Sequence, residues 1–132
     1  MPLTPWGFLL LAAGVVACSP GDCPAPPPTV LGKWTYSATQ TSPSTATLVG
    51  TLTLQPGCPG FQGSLDGTQN DGSGTPLAVH VLVTGQMVGT TSVQFDASGR
   101  SHLGMIANDS IHGTWVEFPN TGSFVAAKEL TP

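Results

Sequence analysis

From Leu31 onward, apolar and polar residues alternate with a period of two, and turn-forming residues break the alternation at short intervals. The alternating segments are Leu31–Ala38, Ala46–Leu54, Phe61–Gly67, Leu77–Val88, Thr91–Phe95, Ser101–Ala107, Ser110–Glu117 and Gly122–Glu129. Between them stand Ser42-Pro43-Ser44, Pro56-Gly57, Asp71-Gly72-Ser73-Gly74, Ala97-Ser98-Gly99, Asn108-Asp109 and Pro119-Asn120. Side chains of a strand point to opposite faces in turn, so such a pattern suits strands buried on one side and wet on the other. No apolar 3.6-residue pattern survives more than one turn, because Gly or Thr interrupts nearly every window. The pattern predicts an all-β domain: eight short strands in an antiparallel meander, closed as a barrel or folded as a sandwich.

A second repeat favours the barrel. An apolar-x-Gly-x-apolar core recurs around Gly50, Gly63, Gly85 and Gly113. Glycine inside a strand is costly, so its repetition marks bends or places where something bulky must fit, and small barrels need both. With Asn108-Asp109 as a two-residue turn, Gly104 faces Gly113 and His102 faces Trp115. With Pro119-Asn120 as the next turn, Phe118 faces Thr121, Trp115 faces Phe124 and Gly113 faces Ala126. Small residues then align across three strands, with aromatics on the same face.

Gly32-Lys33-Trp34 at the start of the first strand, with Lys128 near the end of the last, resembles the calycins, the superfamily of lipocalins, fatty-acid-binding proteins and avidins. The resemblance implies an eight-stranded up-and-down barrel in which Lys128 packs over Trp34 and closes the floor. It also implies an interior that binds a small apolar molecule. The candidate lining is Trp34, Tyr36, Leu52, Phe61, Leu65, Val83, Met87, Phe95, His102, Trp115 and Phe124. The residues alone also fit Trp34 as a core residue of an unrelated barrel or sandwich. Up-and-down topology places Cys23, the turn carrying Cys58 and the Asn108-Asp109 turn at the Trp34 end, and the loops 39–45 and 68–76 at the other.

The beginning of the chain has a different character. Trp6 to Ala17 is an apolar stretch too short to cross a bilayer as a helix, since about 12 residues span about 18 Å against a hydrocarbon core of about 30 Å. It ends in Val15-Val16-Ala17-Cys18, which resembles the leader of a bacterial lipoprotein. That resemblance implies cleavage before Cys18, its lipidation, and anchoring in the cell envelope; Ser19 after it suggests the outer membrane. The expected organisation is a signal peptide at 1–17, a lipidated Cys and Pro-rich tether at 18–29, and the barrel at 30–130. Prolines hold the tether extended. With Cys18 lipidated, Cys23 and Cys58 remain as an even pair, and an oxidising compartment makes a disulfide between them the default.

The chain carries three basic and seven acidic side chains, a net charge of −4, with no basic run. That balance argues against nucleic acid and against polybasic contact with lipid. No metal or cofactor is expected. His80, His102 and His112 do not converge, since the register turns His102 inward and the other two outward. The Asp66–Gly72 segment has calcium-loop composition in the wrong phase, and reads as a polar turn. No nucleophile elbow, zinc-protease motif or phosphate loop is present, so the expectation is a non-enzymatic binding protein. Its rival is a protein-binding or protease-inhibitor-like module with a packed barrel that works through its rim loops. The state of the interior separates the two.

Overall fold

The computed structural model describes residues 26–130. Cys18 and Cys23 lie outside the described residues, and with them the expected anchor and the expected bridge to Cys58. The strands are β1 Gly32–Ser42, β2 Ala46–Pro56, β3 Phe61–Asn70, β4 Leu77–Val88, β5 Ser92–Ala97, β6 Arg100–Ala107, β7 Ser110–Glu117 and β8 Asn120–Lys128. Each pairs antiparallel with the next, and β1 also pairs with β8, so the meander closes into an eight-stranded barrel. Closure leaves no sheet edge exposed.

The alternation does what the sequence predicts. In β1, Trp34, Tyr36 and Ala38 are buried while Thr35, Ser37 and Thr39 are exposed. The tight turns follow local chemistry. Ser98 and Gly99 both take positive φ (54° and 90°) between β5 and β6, and Asn108 does so (57°) between β6 and β7; Asn and Gly tolerate that region best. Gly104 faces Gly113 and His102 faces Trp115, as the first expected turn requires.

The next turn differs from expectation. It is made by Phe118 and Pro119, with Glu117 facing Asn120, so Trp115 faces Gly122 and Gly113 faces Phe124. Packing explains the choice: a Cβ on residue 122 would sit 2.7 Å from the ring carbons Cε2 and Cζ2 of Trp115, so the indole needs glycine opposite it. The slip is an even number of residues, which leaves every inward side chain inward. The loops at that end are also shorter than expected, because β1 runs on to Ser42 and β3 to Asn70, leaving 43–45 and 71–76.

The two ends are unlike. At the floor, the end of the Pro-rich segment and the residue after it form a short 3-10 turn, Pro28–Val30. Val30 is fully buried and its carbonyl accepts the indole N–H of Trp34 at 3.1 Å. Lys128 lies over that indole, its Nζ 5.5 Å from the ring centroid, and donates to the carbonyls of Thr29 (3.1 Å) and Pro28 (3.5 Å). Gly32 takes φ 117°, a conformation open to glycine, and the Lys128 stem passes beside it. The Gly-x-Trp and the terminal Lys therefore form one closure device. Its consequence is directional: residues 28–30 stand at the floor, the end opposite to the mouth.

Candidate functional site

The expected lining residues share the inner face, but they fill it. Trp34, Tyr36, Leu52, Phe61, Leu65, Val83, Phe95, His102, Trp115 and Phe124 are all buried, and Met87 packs against them half-buried. Phe95 stacks on His102 with centroids 4.2 Å apart, Phe124 meets His102 edge-on at 4.9 Å, and Tyr36 stacks on Phe124 at 5.9 Å. These are van der Waals spacings of a packed core, with no room for an alkyl chain between the rings. The strand glycines serve that packing. A side chain at Gly50 or Gly113 would overlap the facing backbone, at the carbonyls of Asp66 and Leu103. One at Gly85 would meet the Phe61 ring carbon Cε1 at 2.7 Å. The bulky groups that these glycines accommodate are therefore the protein's own.

His102 is held inside this cluster by two hydrogen bonds. Its Nδ1 lies 3.0 Å from the carbonyl oxygen of Arg100, which can only accept, so Nδ1 carries the proton. Nε2 then accepts from the Tyr36 hydroxyl at 2.7 Å. Burial pushes the imidazole down to about 4, with the Arg100 charge acting in the same direction against its hydrogen bonds. Burial pushes the Tyr36 hydroxyl above its ordinary range, opposed by Arg100. A neutral, doubly bonded histidine among aromatic rings positions its neighbours. His80 and His112 sit on the outer wall, His80 against Asp66 and His112 beside Ser110 at 3.4 Å. Among the described residues no three His, Cys, Asp or Glu side chains gather as a metal site. Among them, too, no helix is long and apolar enough to cross a membrane.

Inward-facing space lies at the mouth. A depression of about 170 Å³ opens there over Leu48, Leu65, Val79 and Val81, with Gln69, Ala97, Ser98, Arg100 and Glu117 completing its wall. Arg100 has a side chain only 16% exposed, stacks 4.0 Å over the Trp115 ring, and donates from Nη2 to Glu117 Oε1 at 3.2 Å. Leu48, Gln69 and Arg100 also line a water-sized void of about 10 Å³, together with Ala38, Gln40 and Trp115. The Trp115 indole N–H is buried and has no hydrogen-bond partner among the described residues.

A larger groove of about 360 Å³ runs along the outer wall beside the β2–β3 turn, where Gly85 presents no side chain. Gln62, Thr84, Gln86 and Gln94 line it, and the Phe61 and Phe95 rings beneath are 1% and 2% exposed. Nothing buried and charged converges on it. The mouth is the better site because a nearly buried cation, an unpaired buried donor and an apolar wall meet there.

Of the expected lining, Leu65 borders the mouth depression and Trp115 the small void that shares Arg100 with it. Arg100, Glu117, Val79, Val81 and Gln69 were not foreseen. Their signal was present: Arg100 shares the inward phase of His102 on β6, and Glu117 that of Trp115 on β7, so each strand places one charge on its apolar face. No protein-family model matches the chain, and a search of curated proteins finds no match.

Proposed function

We propose that this is a lipid-anchored protein of the bacterial cell envelope whose packed barrel is a scaffold, binding a protein partner through its open end. The observation that carries the reading is the filled interior, from Trp34 at the floor to the His102–Phe95–Phe124 stack. A mouth depression of about 170 Å³ is smaller than the roughly 300–1,000 Å³ of typical small-molecule sites, and suits a single anchoring side chain. The rim offers complementary apolar surface: Phe118 in the β7–β8 turn is 91% exposed and Leu77 at the start of β4 is 62% exposed. Aromatic groups of this kind dominate protein interfaces. The leader resemblance and the position of residues 28–30 at the floor both favour an anchor at the end opposite to this rim. A small apolar ligand remains the second reading, favoured by the Val79–Val81 wall. An engineered cavity of about 150 Å³ takes benzene, so such a ligand would be of ring size, not a lipid.

Two experiments test the reading. Metabolic palmitate labelling should be lost, and soluble protein released, in Cys18→Ser; labelling that persists would refute the anchor. A photo-reactive residue at position 118 should give a discrete adduct in intact cells, while one at 109 on the floor should not. Equal adducts from both positions, or none from either, would remove the open-end reading. If Cys23 and Cys58 are bonded, oxidised protein bearing Cys18→Ser titrates no free thiol.

A further inference from the structure

We propose that the mouth captures an apolar carboxylate, with Arg100 as its anchor and Glu117 as a built-in occupant that the ligand displaces. The inference rests on the open end being the recognition surface, and assigns the chemistry it recognises. Its basis is an imbalance of donors. The Arg100 guanidinium has five N–H donors and no acceptor; its central carbon lies 4.0 Å from the Trp115 ring centroid, and its side chain also lines the depression. One donor meets Glu117 at 3.2 Å, a single contact where a carboxylate and a guanidinium can make two, and the guanidinium also acts on the Tyr36 hydroxyl, which leaves donors to spare among the five. Glu117 is 42% exposed and free to swing into solvent, whereas Arg100 is 16% exposed and held. The buried N–H of Trp115, the ring that Arg100 covers, adds a second donor with no acceptor among the described residues. Buried donors without acceptors are rare in proteins and mark places where water, an ion or a ligand belongs. What such a site lacks is an acceptor bearing negative charge.

The rest of the depression supplies the second half of the recognition. Leu48, Leu65, Val79 and Val81 form an apolar wall next to the guanidinium. A ligand that satisfies both carries a carboxylate and a branched or ring-sized apolar group a few bonds apart. The C-terminal residue of a polypeptide with an aliphatic or aromatic side chain has that form, and is the source consistent with a protein partner. A free small acid has the same chemistry, so the two must be separated by experiment.

Purified full-length protein would be titrated with isovalerate and benzoate, with isovaleramide and benzamide as uncharged counterparts. Acetyl-Ala-Ala-Leu would be added as free acid and as C-terminal amide. The readout is the indole N–H resonance of Trp115, which should move downfield as it gains an acceptor or a bridging water. The acids should bind saturably and the amides should not, and the peptide acid should bind more tightly than either free acid. Arg100→Gln should lower acid affinity at least about tenfold, as loss of a charge-assisted pair requires. Glu117→Gln should raise it by about three- to tenfold, because the competing carboxylate is gone. That increase is the most specific outcome, since a merely structural ion pair would leave affinity unchanged or reduced. Equal binding of acids and amides, or unchanged or weaker binding in Glu117→Gln, would overturn the proposal. Tight binding of free acids with none of the peptide would overturn the polypeptide source while keeping the carboxylate site. Failure of the rim cross-link with acid-selective binding intact would separate the two proposals the other way.

Discussion

The barrel has a tryptophan capped by a cation at each end, and the two are not equivalent. At the floor, the Trp34 N–H is bonded to Val30, and the Lys128 ammonium over the ring donates to the Pro28 and Thr29 carbonyls of the same closure. At the mouth, the Trp115 N–H has no partner among the described residues, and Arg100, though closer to its ring (4.0 Å against 5.5 Å), holds a half-exposed carboxylate by one hydrogen bond. One end is complete and the other is not. Polar groups satisfied internally secure a fold, and those left with spare capacity are available to something outside it. The comparison therefore separates the residues that hold the barrel from those that can bind.

Substitutions should sort accordingly. The largest effects belong to the floor and interior. Trp34→Ala removes a fully buried ring and leaves the Val30 carbonyl unpaired, and should cost about 3–5 kcal/mol in urea unfolding. Gly113→Leu should be at least as severe, beyond the about 1–3 kcal/mol of ordinary overpacking, because it meets backbone rather than movable side chains. A folded, stable Gly113→Leu would mean the interior has room.

Acid comes next. His102 is neutral in the folded barrel at about 4, against about 6.5 in the unfolded chain, so between those values the unfolded state binds the extra proton. Its contribution is complete above about pH 6.5 and is lost as pH falls towards 4, a change of about 3 kcal/mol. His102→Gln, which cannot titrate, should flatten that part of the stability profile relative to the parent. An unchanged slope would place the acid sensitivity elsewhere.

Smaller effects belong to the mouth. Val79→Phe fills the depression from a half-buried position and should change stability by less than about 1 kcal/mol while blocking whatever the mouth binds. A loss comparable with Trp34→Ala would show the mouth to be core. Smallest, although it lies at the floor, is Lys128→Met, which keeps the stem over Trp34 and removes only the charge; about 0.5 kcal/mol is expected, reduced by salt in the parent but not in the variant.

The fold was legible because period-two alternation and turn residues report the backbone directly. Eight segments and the Asn108-Asp109 register could be read from them. The β7–β8 turn could not, since Phe118-Pro119 and Pro119-Asn120 are both acceptable turns, and the choice between them is made by Trp115 needing Gly122 across the sheet. The site was less legible. Apolar residues on the inner face look the same whether they line a cavity or fill one, and the difference is a volume that depends on ring packing between strands far apart in sequence. Arg100 and Glu117 were hidden for another reason: each stands at a strand end, where the alternation gives way to turn chemistry and a charge reads as solvent-exposed.

The claim on which the comparison depends is that the interior is filled. It is tested most directly by titrating the protein with a naturally fluorescent long-chain fatty acid, following energy transfer from the tryptophans. A packed barrel gives no saturable signal, in the parent or in Val79→Phe. Saturable one-to-one binding with transfer from Trp34, at the far end from the mouth, would contradict it, and would restore the interior as the binding site.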